Sequence, residues 1–241
     1  MNSQRTLFKY DGHEVKAITA TPAKRAVVET GEVQIRAGSV SLTGELNVPE
    51  NATGIVLFAH GSGSSRHSPR NQYVARVIRE AGVGTLLFDL LTREEETIDN
   101  YTREFRFDIN LLARRLVAAT KWLAGESQTS HLCPGYFGSS TGGGAALVAA
   151  AELEVKVGAV VSRGGRPDLA GAALRRVKAP TLLIVGGLDG PVIRMNEDAY
   201  AELRCVKELK IIPGATHLFE EPGKLEEVAS LAAKWFLNHL Q

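Results

Sequence analysis

One pentapeptide constrains this chain more than any other stretch. Gly138-Ser139-Ser140-Thr141-Gly142 follows the pattern G-x-S-x-G. The pattern describes a strand, one sharp turn and a helix, with the central serine in the turn. Its spacing is steric in origin. A serine in so tight a turn leaves no room for a Cβ two residues to either side, so glycine fills both places. The turn lifts the hydroxyl clear of the sheet and sets it at a helix N-terminus, where free N–H groups can hold an oxyanion. Glycine–serine loops also match the pattern by chance, so the flanks decide. Residues 131–137 are short and apolar enough for a buried strand, although Pro134 weakens that reading. Residues 145–151, all Ala, Leu or Val, read as a buried helix. Gly143 and Gly144 each cost a helix about 1 kcal/mol relative to alanine. Close packing of that helix on the sheet is the reason to expect them.

The rest of the chain alternates strand and helix around this turn. Residues 32–37 and 40–48 alternate apolar and polar, as two half-exposed strands of an antiparallel pair would. Residues 55–59 are continuously apolar, the mark of a central parallel strand. A helical stripe over 71–80 follows, then a strand over 83–90. The acidic, polar stretch 92–100 reads as a loop and 105–123 as one long helix. Further strands fall at 157–162, 181–185 and 207–212, with a helix at 197–204. A closing amphipathic helix at 225–240 carries Val228, Leu231, Ala232, Trp235 and Phe236 on one face. About eight strands result, the first pair antiparallel and the others parallel with helical crossovers. Only some twenty residues join the strands at Val160 and Leu183, enough for one crossover helix and its loops but not for a cap.

At 241 residues the chain suits one α/β domain, with residues 1–30 a polar extension that no pattern places. A net charge of +1 offers no field for nucleic acid or membrane. Two cysteines without metal-type spacing fit a reducing compartment rather than a disulfide framework. The first ten residues lack an apolar signal core, and no run reaches the roughly 18 apolar residues of a membrane span. These features predict a soluble cytoplasmic protein that needs neither metal nor cofactor. They leave the oligomeric state open.

Three polar residues fall where predicted strands end: Ser140, Asp189 and His217. Chemistry in open α/β sheets lies at the carboxyl ends of strands. In this constellation His217 takes the Ser140 proton, and Asp189 orients the imidazole and stabilises its cation. The N–H of Thr141 and that of Ser62, just after His60-Gly61, are the candidate oxyanion donors. Alternatives stay open at this point. Asp189 precedes Gly190, which is common in plain turns, and Glu220 or Glu221 could take its place beside His217. Arg66, Arg70, Arg163 and Arg166 sit in loops bordering the same crevice, where guanidinium forks suit carboxylate recognition. Ion pairing with Asp89 or Asp168 would make some of them merely structural.

Four stretches, residues 58–71, 135–142, 186–189 and 214–222, resemble the α/β-hydrolases, most closely the dienelactone-hydrolase-related branch. The resemblance runs from about Val33 to the end. It implies an α/β-hydrolase fold without a cap domain, the order Ser-Asp-His for the triad, and a small ester as substrate. One departure matters. Dienelactone hydrolases proper resemble this fold but carry a nucleophilic cysteine at the elbow, where this chain has Ser140. The departure favours serine-esterase chemistry with an acyl-enzyme intermediate over dienelactone hydrolysis. Two rival readings exist. A non-catalytic binding protein can use the same fold. Gly61-Ser62-Gly63-Ser64-Ser65-Arg66 also imitates a dinucleotide fingerprint, but Arg66 replaces its third glycine and Pro69 starts the next helix late.

Overall fold

A computed structural model describes residues 27–152 and 156–241. The polar extension expected over 1–30 lies outside the described residues as far as residue 26; its last four residues instead open the first strand. β1 (Val27–Ala37) and β2 (Val40–Pro49) form the antiparallel ribbon their alternation predicts. β3 (Gly54–Ala59), α1 (Pro69–Glu80), β4 (Gly84–Phe88), α2 (Arg93–Thr102) and α3 (Ile109–Gly125) follow. Then come β5 (Cys133–Ser139), α4 (Thr141–Glu152), β6 (Ala159–Arg163), β7 (Thr181–Gly186), α5 (Gly190–Glu202), β8 (Lys207–Ile212) and α6 (Lys224–His239).

Eight strands join in the order β1-β2-β4-β3-β5-β6-β7-β8. β2 runs antiparallel to both neighbours, and every pairing from β4 across to β8 is parallel. Both faces of the central strands are covered, which is why β3 is apolar at consecutive positions rather than alternate ones. Ile55, Leu57 and Ala59 enter the core shared with α3 and α4, whereas Val56 and Phe58 enter the core shared with α1 and α6. The apolar stripe of α6 is buried in that second core, as its periodicity predicts. Pro134 is accommodated as the second residue of β5, where its carbonyl accepts from Gly158 N at 2.8 Å.

The chain order reverses at β3, which lies between β4 and β5. From β3 the chain leaves toward α1 on one face, and from β5 toward α4 on the other. Divergence of this kind opens a crevice above the carboxyl ends of the two strands.

Two sequence expectations are corrected. Residues 92–100 do not form a loop: α2 is a helix opened by a capping box, in which Thr92 Oγ1 accepts from Glu95 N and Glu95 accepts from Thr92 N. Its buried member is Asp99, which takes an ion pair from Arg106 and the backbone N–H groups of Phe105 and Arg106. No apolar stripe announces such a helix, because a polar network holds it. The helix expected over 105–123 is also interrupted. A 3₁₀ turn spans Phe105–Phe107, and α3 then starts afresh with Asp108 as its N-cap, accepting from Leu111 N at 2.9 Å. Between β6 and β7 the crossover is a 3₁₀ segment, Pro167–Arg176, kinked at Gly171.

Candidate active site

Ser140 sits in the gap between β5 and α4, at φ 51, in the left-handed region that non-glycine residues seldom adopt. Such a conformation costs about 1–3 kcal/mol and persists only where neighbours over-determine it. Here they do. Ser140 N donates to the Arg163 carbonyl at 3.3 Å, and the Ser140 carbonyl accepts from Gly143 N and Arg166 N, each at 2.9 Å. The flanking glycines are required by contact. A Cβ on Gly142 would lie 2.1 Å from the Ala59 carbonyl oxygen, and one on Gly138 would lie 2.5 Å from that of Gly142. Gly143 and Gly144 find their reason in β6 and in the loop that follows it. Their Cβ atoms would stand 2.6 Å from Ser162 Oγ and 2.8 Å from the Arg166 carbonyl oxygen. The neighbouring Ser139 is buried, and its hydroxyl donates to Asn71 Oδ1 at 3.2 Å.

Asp189 and His217 meet from two adjacent strand ends. Asp189 ends the turn after β7, with its N–H on the Gly186 carbonyl at 3.0 Å. It occupies the N-cap position of α5, yet its side chain makes no capping bond. The carboxylate instead reaches His217, Oδ2 to Nδ1 at 2.6 Å. His217 lies in the loop after β8. Thr216 N donates to the Glu221 carboxylate there, and Phe219 is buried at φ 58. The two rival carboxylates are thus engaged elsewhere, Glu221 on Thr216 N and Glu220 on Arg70 at 2.8 Å. His217 and Ser140 both line one open cleft of about 500 Å³. No hydrogen bond joins the Ser140 hydroxyl to the His217 ring. Catalytic contacts of this kind commonly tighten only around substrate.

Ser62 and Thr141 are brought together across the strand ends. Their hydroxyls share a hydrogen bond of 3.1 Å, which ties the loop after β3 to the start of α4. Thr141 is the first residue of α4, so its N–H has no helical acceptor. His60 holds the same loop from beneath. Leu90 N donates to its Nε2 at 3.0 Å, which places the ring proton on Nδ1, facing the Gly61 carbonyl at 3.0 Å. Burial pulls the pKa of His60 below its ordinary value and keeps the ring neutral. Behind these residues a cavity of about 80 Å³ is lined by Thr141, Arg106, Asp99 and Leu112. Neither α2 nor this cavity was legible as part of the site; the capping box at Thr92–Glu95 was the available signal for the helix.

The four arginines separate. Arg66 pairs with Asp89 and also reaches Glu32 at 3.4 Å. Arg166 makes a two-pronged pair with Asp168, 2.9 Å from Nε and 2.7 Å from Nη2. Neither lines the cleft that Ser140 and His217 share, whereas Arg70 and Arg163 do. Arg163 is only 7% exposed, and its Nε and Nη1 are buried without a hydrogen-bond partner. Arg70 Nε is in the same condition.

A mostly parallel eight-stranded sheet with this strained serine at its crest defines an α/β hydrolase. Residues 42–240 match the Dienelactone hydrolase family, and the chain belongs to that family. It is 64% identical to a crystal structure of dienelactone hydrolase from Anabaena variabilis, with a TM-score of 0.87 over 88% of this chain and 99% of that one. Est1E from Butyrivibrio proteoclasticus, 16% identical, shares the fold with a TM-score of 0.71 over 86% of this chain and 98% of its own. Two Mycobacterium tuberculosis sequences described as "Putative phosphoribosyl transferase" are 61% identical over 209 residues, or 87% of this chain. The chain spans about half of their length, 46%. No described helix is long and apolar enough to cross a membrane.

Proposed function

We propose that this hydrolase cleaves small carboxylic esters through a Ser140–His217–Asp189 triad. The observation that carries the reading is the 2.6 Å bond from Asp189 to His217 Nδ1, in a cleft shared with a serine held at φ 51. With the ring proton fixed on Nδ1 by Asp189, Nε2 is the free acceptor. It takes the Ser140 proton as the hydroxyl oxygen attacks the ester carbonyl carbon. Negative charge moves onto the carbonyl oxygen, where the N–H groups of Ser62 and Thr141 receive it. Collapse of the tetrahedral species expels the alcohol, which takes its proton from His217 and leaves an acyl group on Ser140. Water, deprotonated by the same ring, then releases the acid and restores the serine.

Two points favour Ser140 over its neighbour. Both border the cleft, but the Ser139 hydroxyl is buried and committed to Asn71, whereas Ser140 is half-buried and its hydroxyl makes no hydrogen bond among the described residues. The description of the M. tuberculosis relatives belongs to proteins about twice as long, and we assign phosphoribosyl transfer to no residue of this chain. The test is peptide mass spectrometry after treatment with a fluorophosphonate. The label is expected on Ser140, and Ser140→Ala is expected to abolish it together with turnover of p-nitrophenyl acetate. Labelling at full strength in the Ser140→Ala protein refutes the assignment.

A further inference from the structure

We propose that the cleft wall built from Arg163, Arg70 and the N-terminus of α1 is a subsite for a phosphate group carried by the substrate. The inference rests on the esterase reading and names the substrate class: an ester whose acyl or alcohol part bears a phosphate monoester. The phosphate is a recognition group only. The bond broken remains the carboxylic ester C–O bond, water supplies the oxygen and proton of the products, and the phosphate leaves unchanged.

The first ground is an unanswered buried charge. Arg163 lies on β6 beside the elbow, 7% exposed, with two guanidinium nitrogens buried and unpartnered. Burial, with a smaller contribution from the Arg70 charge, brings it down to about 10, so it is a cation at neutral pH. A buried ion without a partner is destabilising in a protein at rest. An incoming anion supplies the partner. Surface pairing does not: Arg66 and Arg166 have carboxylates, and Glu220 serves only Arg70.

The second ground is the donor set around it. Among the described residues, no aspartate or glutamate lines this cleft. Its wall is formed by residues 61–65 and 67–71, among them Ser62, Ser64, Ser65 and Ser68. Helix α1 is 12 residues long and begins at this wall, with Ser68 as its N-cap, so the positive end of its dipole lies beside Arg70. A planar carboxylate offers two oxygens, which one guanidinium fork already satisfies. Here Arg163 brings an unpaired guanidinium, and Arg70 one whose Nη1 already pairs with Glu220, to a wall that also holds serines and a helix start. A group with three terminal oxygens and up to two negative charges matches that set better.

The test uses the full chain carrying Ser140→Ala, so that binding is read without turnover. Inorganic phosphate and acetate are titrated calorimetrically, and their effect on the melting temperature is recorded. Phosphate is expected to bind with a Kd at or below about 1 mM and acetate at least about tenfold more weakly. Adding Arg163→Gln is expected to weaken phosphate binding at least about tenfold, and the exposed control Arg76→Gln, which removes the same charge outside the cleft, to leave it unchanged. Because the Arg163 guanidinium is unpartnered, Arg163→Gln is also expected to melt no lower than its parent without ligand, the opposite of what a structural role demands. Should that protein fail to fold, Arg70→Gln provides the second variant, with phosphate binding reduced. The inference is overturned if phosphate does not bind, if acetate binds as tightly, or if Arg163→Gln and Arg70→Gln both retain full phosphate affinity. Failure of the esterase reading is separate, since it appears as missing fluorophosphonate label on the protein with Ser140 intact.

Discussion

Asp189→Asn tests the triad at its most quantifiable contact. The carboxylate stands 2.6 Å from His217 Nδ1, with side-chain exposures of 14% for Asp189 and 38% for His217. In the proposed mechanism the ring becomes an imidazolium facing that charge. At a separation of charge centres of about 4 Å and an effective dielectric near 20, fitting for so accessible a pair, their attraction is about 4 kcal/mol. That corresponds to about a thousandfold in rate. The amide adds a second loss. Its NH₂ can donate to Nδ1, which drives the ring proton to Nε2 and takes away the acceptor that Ser140 needs. The expected fall in kcat is therefore about 10³- to 10⁴-fold, with KM little altered. Because α5 draws no capping bond from the Asp189 side chain, the fold is expected to survive, as circular dichroism and a melt will show. Initial rates on p-nitrophenyl acetate give the kcat ratio. A loss under about tenfold in a folded protein would refute the reasoning, since a group this close cannot be that weakly coupled. Combining Asp189→Asn with Ser140→Ala is expected to cost no more than Ser140→Ala alone, because the residues act as a unit.

Two further outcomes follow from the packing around the elbow. Gly142→Ala drives a methyl into the Ala59 and His60 carbonyl oxygens, at 2.1 and 2.7 Å, and overpacking against backbone costs about 3 kcal/mol or more. Thermal melting is expected to fall by about 5 °C or more, with ester hydrolysis lost alongside; a protein that melts and turns over normally would show that the elbow has slack. His60 contributes a pH dependence near neutrality. Its folded pKa is depressed below 6.5, so on acidification the unfolded chain binds a proton first. Its stabilising contribution is complete above pH 6.5 and declines as the pH drops below that value toward the folded pKa. Melting temperatures between about pH 5 and 8 should fall more steeply on the acid side for the parent than for His60→Gln, and equal slopes would remove His60 from the account.

The site was legible in part because its signals are local. A strained turn needs small neighbours two residues away, so the glycines on either side of Ser140 announce it without reference to the remainder of the chain. Central strands covered on both faces must be apolar at consecutive positions, as β3 is, and that too is written in adjacent residues. Where stabilisation came from afar, the sequence was silent. The helix α2 has no apolar face to display, because Asp99 holds Arg106 and Glu95 holds Arg115, twenty positions away. Choosing Asp189 over Glu220 and Glu221 as the partner of His217 depended on which carboxylate the adjoining ends of β7 and β8 bring within 2.6 Å. The four arginines look alike in the chain, and only one pairing lies within local reach, Arg166 with Asp168. Arg66 finds Asp89 at a separation of 23 residues and Arg70 finds Glu220 at 150, while Arg163 finds no carboxylate at all. Sequence alone determined the sheet, the elbow and the placing of Ser140, Asp189 and His217 at strand ends, since hydrophobic period and backbone strain act over a few residues. Tertiary structure decided which charges are answered, because Coulomb attraction and desolvation depend on distance and burial in space rather than on separation along the chain.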